Sequence, residues 1–160
     1  MISFDNSDNS SDLDHNRNLL GKPLIPCSTE PLTGFFRDGL CRTCSDDTGS
    51  HTVCAVMTEA FLQFTVEAGN DLVTPRPEFN FSGLVPGDRW CLCAARWLEA
   101  MRAGCAPRVV LEASSVKALD VIPFELLQQH TAYCFYSVSV TARRQKEFVC
   151  SGPLGTTTNK

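Results

Sequence analysis

The stretch that decides the fold is Pro86-Gly87-Asp88-Arg89-Trp90-Cys91-Leu92-Cys93-Ala94-Ala95-Arg96-Trp97-Leu98-Glu99-Ala100-Met101-Arg102-Ala103-Gly104. Pro86-Gly87 fits the centre of a type II turn, because proline fixes φ at the first central position and glycine supplies the positive φ of the second. The residues from Arg89 to Ala94 then suit a strand. Ala95 to Ala103 are good helix formers, and Gly104 provides the stop. A strand feeding directly into a helix makes this a mixed architecture.

Working outward, the same grammar recurs. His51 to Met57 is rich in valine and threonine and reads as a strand. Thr58 caps a helix carrying Phe61, Leu62 and Phe64, which Gly69 ends. After Ala106-Pro107 comes a third strand at Arg108 to Leu111. Ser114 or Ser115 caps a short helix through Ala118 and Leu119, and Pro123 suits the first turn of another reaching His130. The fold class is therefore α+β, a small mixed sheet with three or four packed helices and long irregular loops. Residues 21 to 50 form one such loop and 70 to 86 the other, and ordered loops of that length are more often functional than incidental.

The ends differ in composition. Residues 1–17 are serine, asparagine and aspartate rich, and too polar to offset their ordering entropy, so they read as a disordered leader. The globular domain spans 18–132. Residues 133–160 form a C-terminal extension, with one strand at Tyr133 to Val140 and then a tail.

The chain has 160 residues, a formal charge of −4, 43% hydrophobic and 20% charged side chains, which suits one soluble globular domain. That charge argues against nucleic acid as a partner, since phosphate binding relies on clustered lysine and arginine. No apolar run is long enough to span a membrane, and the polar N-terminus has no signal-peptide character. The expected location is the cytoplasm. The nine cysteines then read as mostly reduced thiols.

The chain resembles the uncharacterised family of the domain of unknown function numbered twenty-two thirty-seven, over about residues 18–130. The residues that carry the resemblance are Asn18-Leu19-Leu20-Gly21, Thr33-Gly34-Phe35-Phe36-Arg37, His51-Thr52-Val53-Cys54-Ala55, Gly69-Asn70-Asp71-Leu72 and Pro86 to Ala94, with Arg96-Trp97, Glu99-Ala100 and Ala106-Pro107. It implies an intact compact domain and supplies no reaction. Three features depart from the pattern: Cys44 in place of glycine, Ser82 in place of proline, and the chain after His130. Because Cys44 alone creates the Cys41-Arg42-Thr43-Cys44 spacing, a zinc or redox role for that motif is peculiar to this chain.

Several residues could carry chemistry. Cys91 and Cys93, two apart on a strand, project from one face; burial is the simpler reading, a shared metal or redox pair the alternative. Cys41 and Cys44 have zinc-knuckle spacing, and Cys27, His51, Cys54, Cys91 and Cys93 are further candidate ligands, with unliganded thiols the default. His51 is a candidate catalytic base with Cys54, Cys91 and Cys93 as candidate thiols; the odd strand separation points Cys54 to the opposite face, and a pairing with Cys41, Cys91 or Cys93 depends on the fold. A structural histidine hydrogen-bonded to the threonine and aspartate nearby is the simpler reading. Arg37, Asn70, Asp71, Arg89 and Arg96 are candidate ligand-binding residues, the arginines being read in preference as ion-paired. Most of the carboxylates at Asp46-Asp47, Asp71, Glu78 and Glu112 are expected to be solvated. Trp90, Trp97, Phe79 and Phe81 are expected in the core.

Three functions remain open. The first is a small-molecule or metal-binding domain with a pocket near the Cys, His and Arg loops. The others are a cysteine-dependent enzyme or thiol redox protein, and a protein-interaction domain acting through its tails. Zinc is the cofactor to test.

Overall fold

A computed structural model describes residues 16–132 of the chain. Residues 1–15 of the expected leader and the whole of the expected C-terminal extension from Tyr133 lie outside those residues. Three strands, β1 (Val53–Val56), β2 (Arg89–Leu92) and β3 (Arg108–Val109), form a sheet in the order β2-β1-β3. Both pairings are antiparallel, so the expected mixed sheet is corrected to an antiparallel one. The helices are α1 (Glu59–Glu67), α2 (Ala94–Arg102) and α3 (Phe124–Gln129), with 3-10 turns at Pro77–Phe79, Leu111–Ala113 and Val116–Asp120.

Local chemistry accounts for most of the boundaries. Thr58 Oγ1 accepts the Phe61 N–H at 3.2 Å and opens α1, replacing the fourth-residue carbonyl that a first turn lacks. Gly87 takes φ 99°, and the Asp88 N–H donates to the Val85 carbonyl, closing the expected turn ahead of β2. Ser115 caps the turn at Val116–Asp120 by accepting the Lys117 N–H. One boundary departs from expectation in a consequential way. β2 stops at Leu92, and Cys93 already serves as the residue that opens α2.

The register sorts the sheet into two faces, since alternate strand residues point to opposite sides. Cys54 pairs with Cys91 and Ala55 with Trp90. Val53, Ala55, Trp90, Leu92 and Val109 face one side and pack with Phe61, Leu62, Trp97, Ile122 and Leu127. Trp97 is fully buried and its indole N–H donates to the Pro107 carbonyl at 3.0 Å.

The opposite face is built differently. Cys54 and Cys91 lie there with Cys27, Cys41, Val110 and Ala113. Disulfides Cys27–Cys54 and Cys41–Cys91 tie the irregular segment to the two paired strands. This overturns the expectation of reduced thiols for these four residues. The physical reason is placement: the register sets Cys54 beside Cys91, and the segment delivers Cys27 and Cys41 onto them. The same segment covers the exposed edge of β2, where the Cys91 N–H donates to Thr33 Oγ1 at 2.9 Å. Among the described residues no helix is long and apolar enough to cross a membrane.

Candidate functional site

The site forms where the irregular segment meets the β2–α2 junction. A tight run of turns brings Asp47 and His51 together: the Asp47 N–H donates to the Cys44 carbonyl, and the Ser50 N–H to the Asp47 carbonyl. Ser50 takes φ 51°, a left-handed conformation that most non-glycine residues avoid. This folding lets one carboxylate bind the same residue twice. Asp47 Oδ2 accepts the His51 backbone N–H at 2.8 Å, and Oδ1 lies 2.6 Å from His51 Nδ1. The other ring nitrogen, Nε2, lies 3.2 Å from Cys93 Sγ.

Thiol, imidazole and carboxylate thus stand in line, although Cys93 and His51 are 42 residues apart. The turn is fastened to the helix it serves, because the Ala94 N–H donates to the Ser50 carbonyl at 3.0 Å. Gly49 permits the close approach: a Cβ there would sit 2.8 Å from Cys93 Sγ and 3.1 Å from His51 Cε1.

Charge follows geometry. The hydrogen bond that the ring donates to the Cys93 sulfur is the largest influence on His51 and raises it; burial opposes, while the Cys93 charge and the Asp47 bond and charge add to the rise, to about 9. The ring therefore carries a proton at neutral pH. Burial alone would push Asp47 upward, but the His51 N–H and ring and the Thr43 side chain outweigh it and hold the carboxyl below its ordinary 3.8. The Asp47 side chain is 1% exposed and the His51 side chain 33%. Asp47 is thus an exception to the expectation that most of these carboxylates are solvated. It is a buried partner whose desolvation is offset by charge-assisted hydrogen bonds.

Cys93 is half-buried and opens α2. The first-turn amides of a helix point outward without intrahelical acceptors and favour negative charge beside them. A cleft of about 140 Å³ lies against this relay, lined by Gly34, Phe35, Arg37, His51, Trp90 and Cys91. A wider one of about 420 Å³ includes Leu32, Pro75, Pro77 and Phe81 and shares Trp90 with it. The two long loops thus meet across Trp90, which is 8% exposed. Trp90 is both core and wall.

The remaining candidates separate clearly. Cys91 is buried in its disulfide rather than paired with Cys93 for a shared task. Cys54 is bonded to Cys27, so neither offers a thiolate to His51. Cys41 bonds Cys91, and Cys44 is a separate thiol of intermediate exposure, so the Cys41–Cys44 spacing does not form a knuckle.

The sulfurs of Cys27, Cys41 and Cys54 lie within 4.8 Å of one another, a convergence that could serve a metal only with the disulfides reduced. Arg96 pairs with Glu99 on the helix surface at 2.9 Å, in line with the preferred ion-pair reading. Asp71 Oδ1 accepts the Val73 and Thr74 N–H groups at 2.9 Å, and the Asn70 N–H donates to the Thr65 carbonyl. Neither lines the 140 Å³ cleft, and Arg89 sits in β2 opposite Val56. Arg37 alone of the five ligand-binding candidates lines that cleft.

Sequence reasoning expected a nearby aspartate to fix His51 but did not single out Asp47 for a catalytic role. Its signal was an aspartate four residues before a histidine across Thr48-Gly49-Ser50, a spacing that a tight turn can close.

The fold and the junction define a small α+β protein carrying a thiol–imidazole–carboxylate relay at a helix start. The chain belongs to the family described as "Uncharacterized protein conserved in bacteria (DUF2237)", which matches residues 17–131. No curated protein matches the chain. The resemblance read from the sequence is thereby borne out, and three of the stretches that carry it supply Gly34, Phe35, Arg37, His51, Trp90 and Cys93 among them.

Proposed function

We propose that this chain is a cysteine-dependent enzyme in which Cys93 is the nucleophile, His51 the proton carrier and Asp47 the group that positions the ring. The observation that carries the reading is the continuous relay, 3.2 Å from Cys93 Sγ to His51 Nε2 and 2.6 Å from Nδ1 to Asp47. A nucleophile, a base within reach and a third group fixing the base are the parts such catalysis requires.

The reaction class best suited to these parts is acyl transfer. The Cys93 thiolate adds to a carbonyl carbon, and the developing oxyanion faces the amides of Ala95 and Arg96 in the first turn of α2. As the C–S bond becomes a thioester, the leaving group departs with the proton from His51. Water then attacks the thioester, gives a proton to His51 and restores the thiolate. Asp47 stays ionised throughout and stabilises the imidazolium.

Alkylation by iodoacetamide, followed residue by residue by peptide mapping, tests the nucleophile, with Cys44 as the reference thiol in the same molecule. Cys93 is expected to react about tenfold faster than Cys44 at pH 7, an advantage that His51→Ala removes. Equal rates at the two thiols, unaffected by His51→Ala, would sink the reading.

A second reading, a metal site, is favoured by the convergence of Cys27, Cys41 and Cys54. Reduction of the Cys27–Cys54 and Cys41–Cys91 disulfides by a dithiol takes up four electrons and four protons and yields four thiols, Cys91 included. Zinc binding then releases their protons. Zn–S bonds of about 2.3 Å place tetrahedral sulfurs roughly 3.8 Å apart, inside the observed spread. Native mass spectrometry of reduced protein with added zinc decides this: one retained zinc supports it, and none removes it.

A further inference from the structure

Arg37 lines the cleft together with the protonated His51 ring and is the guanidinium among its described lining residues. Its guanidinium carbon lies 5.1 Å from the centroid of the Trp90 ring, and one terminal nitrogen donates to the Leu32 carbonyl at 3.2 Å. Held on an aromatic face and by a single carbonyl, a guanidinium keeps further N–H donors in a planar fork suited to a carboxylate. Its backbone adopts φ 54° at the close of a turn in which the Arg37 N–H donates to the Gly34 carbonyl. That conformation is unfavourable for a side chain of this size and tends to persist where the surroundings over-determine it, at functional sites above all.

The nearby acids are engaged elsewhere. Asp38 is paired with Arg42, and Asp47 is buried on the far ring nitrogen of His51. Among the described residues no carboxylate lines the cleft. At about 140 Å³ it is well below the roughly 300 Å³ at which drug-sized ligands begin to be enclosed.

We propose that the cleft takes a small electrophile bearing a carboxylate, gripped by Arg37 on the Trp90 face while its reactive carbon is presented to Cys93. This rests on the reading of Cys93 as the nucleophile. Arg37 selects the substrate by charge and holds it at one end, His51 lines the cleft with Cys93 Sγ 3.2 Å from its Nε2, and Phe35 is a further wall residue. The bidentate geometry distinguishes Arg37 from a general positive field, because lysine supplies the charge without the fork.

Iodoacetate and iodoacetamide form a matched pair of probes, since each gives one S–C bond at Cys93 and expels iodide, and they differ in the carboxylate. Rates at Cys93 and Cys44 are read by peptide mapping in the wild type, Arg37→Gln and Arg37→Lys. The wild type is expected to show an iodoacetate-to-iodoacetamide ratio at Cys93 roughly fivefold above that at Cys44. Arg37→Gln should bring the ratio down to that of Cys44, and Arg37→Lys should restore only part of it. A Cys93 ratio equal in the wild type and Arg37→Gln, with Cys93 still fast toward iodoacetamide, overturns the carboxylate subsite and leaves the nucleophile standing. A Cys93 no faster than Cys44 toward iodoacetamide overturns both.

Discussion

The two faces of one sheet are held by different physics. On the helical side, Val53, Ala55, Trp90 and Leu92 meet Phe61, Trp97 and Leu127 in an apolar core, where stability grows with the area removed from water. On the other side the partner has no regular structure, and a segment of turns cannot present a continuous apolar stripe. Two disulfides and a few hydrogen bonds stand in for it. The helical face therefore sustains the fold, while the stapled face places Asp47, Gly49 and His51 against Cys93.

Trp97→Ala gives the largest effect by which this contrast can be broken. It empties a fully buried site and leaves the Pro107 carbonyl without its donor, so a loss of about 4 kcal/mol is expected in urea unfolding. In whatever fraction remains folded, the Cys93 advantage over Cys44 should persist. If that advantage disappears at denaturant concentrations where the variant is still native, the two faces are not separable.

The Cys27→Ala/Cys54→Ala pair should cost about 3 kcal/mol by releasing a 27-residue closure. Unlike the core substitution, it is expected to slow Cys93 alkylation in the folded protein as well. Peptide mapping without reduction checks the premise by recovering the Cys27–Cys54 and Cys41–Cys91 linked peptides.

Gly49→Ala is expected to act on the relay more than on the fold. The new Cβ must displace Cys93 Sγ or the His51 ring, at about 1 to 2 kcal/mol, and the Cys93 rate should fall about tenfold. An unchanged rate would mean that the sulfur has room to move without losing the imidazole.

The smallest effect is one of pH. The folded value for His51 is raised from 6.5 to about 9, so the protonated ring adds stability that is fully present below pH 6.5 and is lost as pH rises through 9. Against His51→Gln, the wild type should show an advantage of roughly 1 kcal/mol at pH 6 that fades by pH 9.5, after allowance for screening of a partly exposed ring. A difference that stays flat across this window would argue against the ion pair.

How much of this was legible follows the range of each signal. Thr58, Gly69, Pro86-Gly87 and Gly104 punctuate the chain through their own backbone preferences, so α1, the turn before β2 and α2 could be read locally. The pairing of Cys54 with Cys91 depends on strand register, and the arrival of Cys27 and Cys41 depends on the course of an aperiodic segment. Neither leaves a mark in a single sequence. The alternation argument for Cys91 and Cys93 failed at one residue, because the chain leaves the strand at Leu92 and Cys93 already belongs to the helix start. His51 was identified as a candidate and a nearby aspartate as its fixing partner, but which aspartate, and which of several cysteines, depends on how the turn closes against the β2–α2 junction.

The order of the bridged residues has a topological consequence. Cys27 joins Cys54 while Cys41, between them, joins Cys91 beyond, so the two covalent rings overlap from residue 41 to residue 54. A peptidase cutting anywhere in that overlap leaves two fragments still linked by both bridges. A cut elsewhere between residues 27 and 91 leaves them linked by one. The stretch holding Asp47 and His51 is thus the part of the chain where a broken backbone is most securely kept in one molecule.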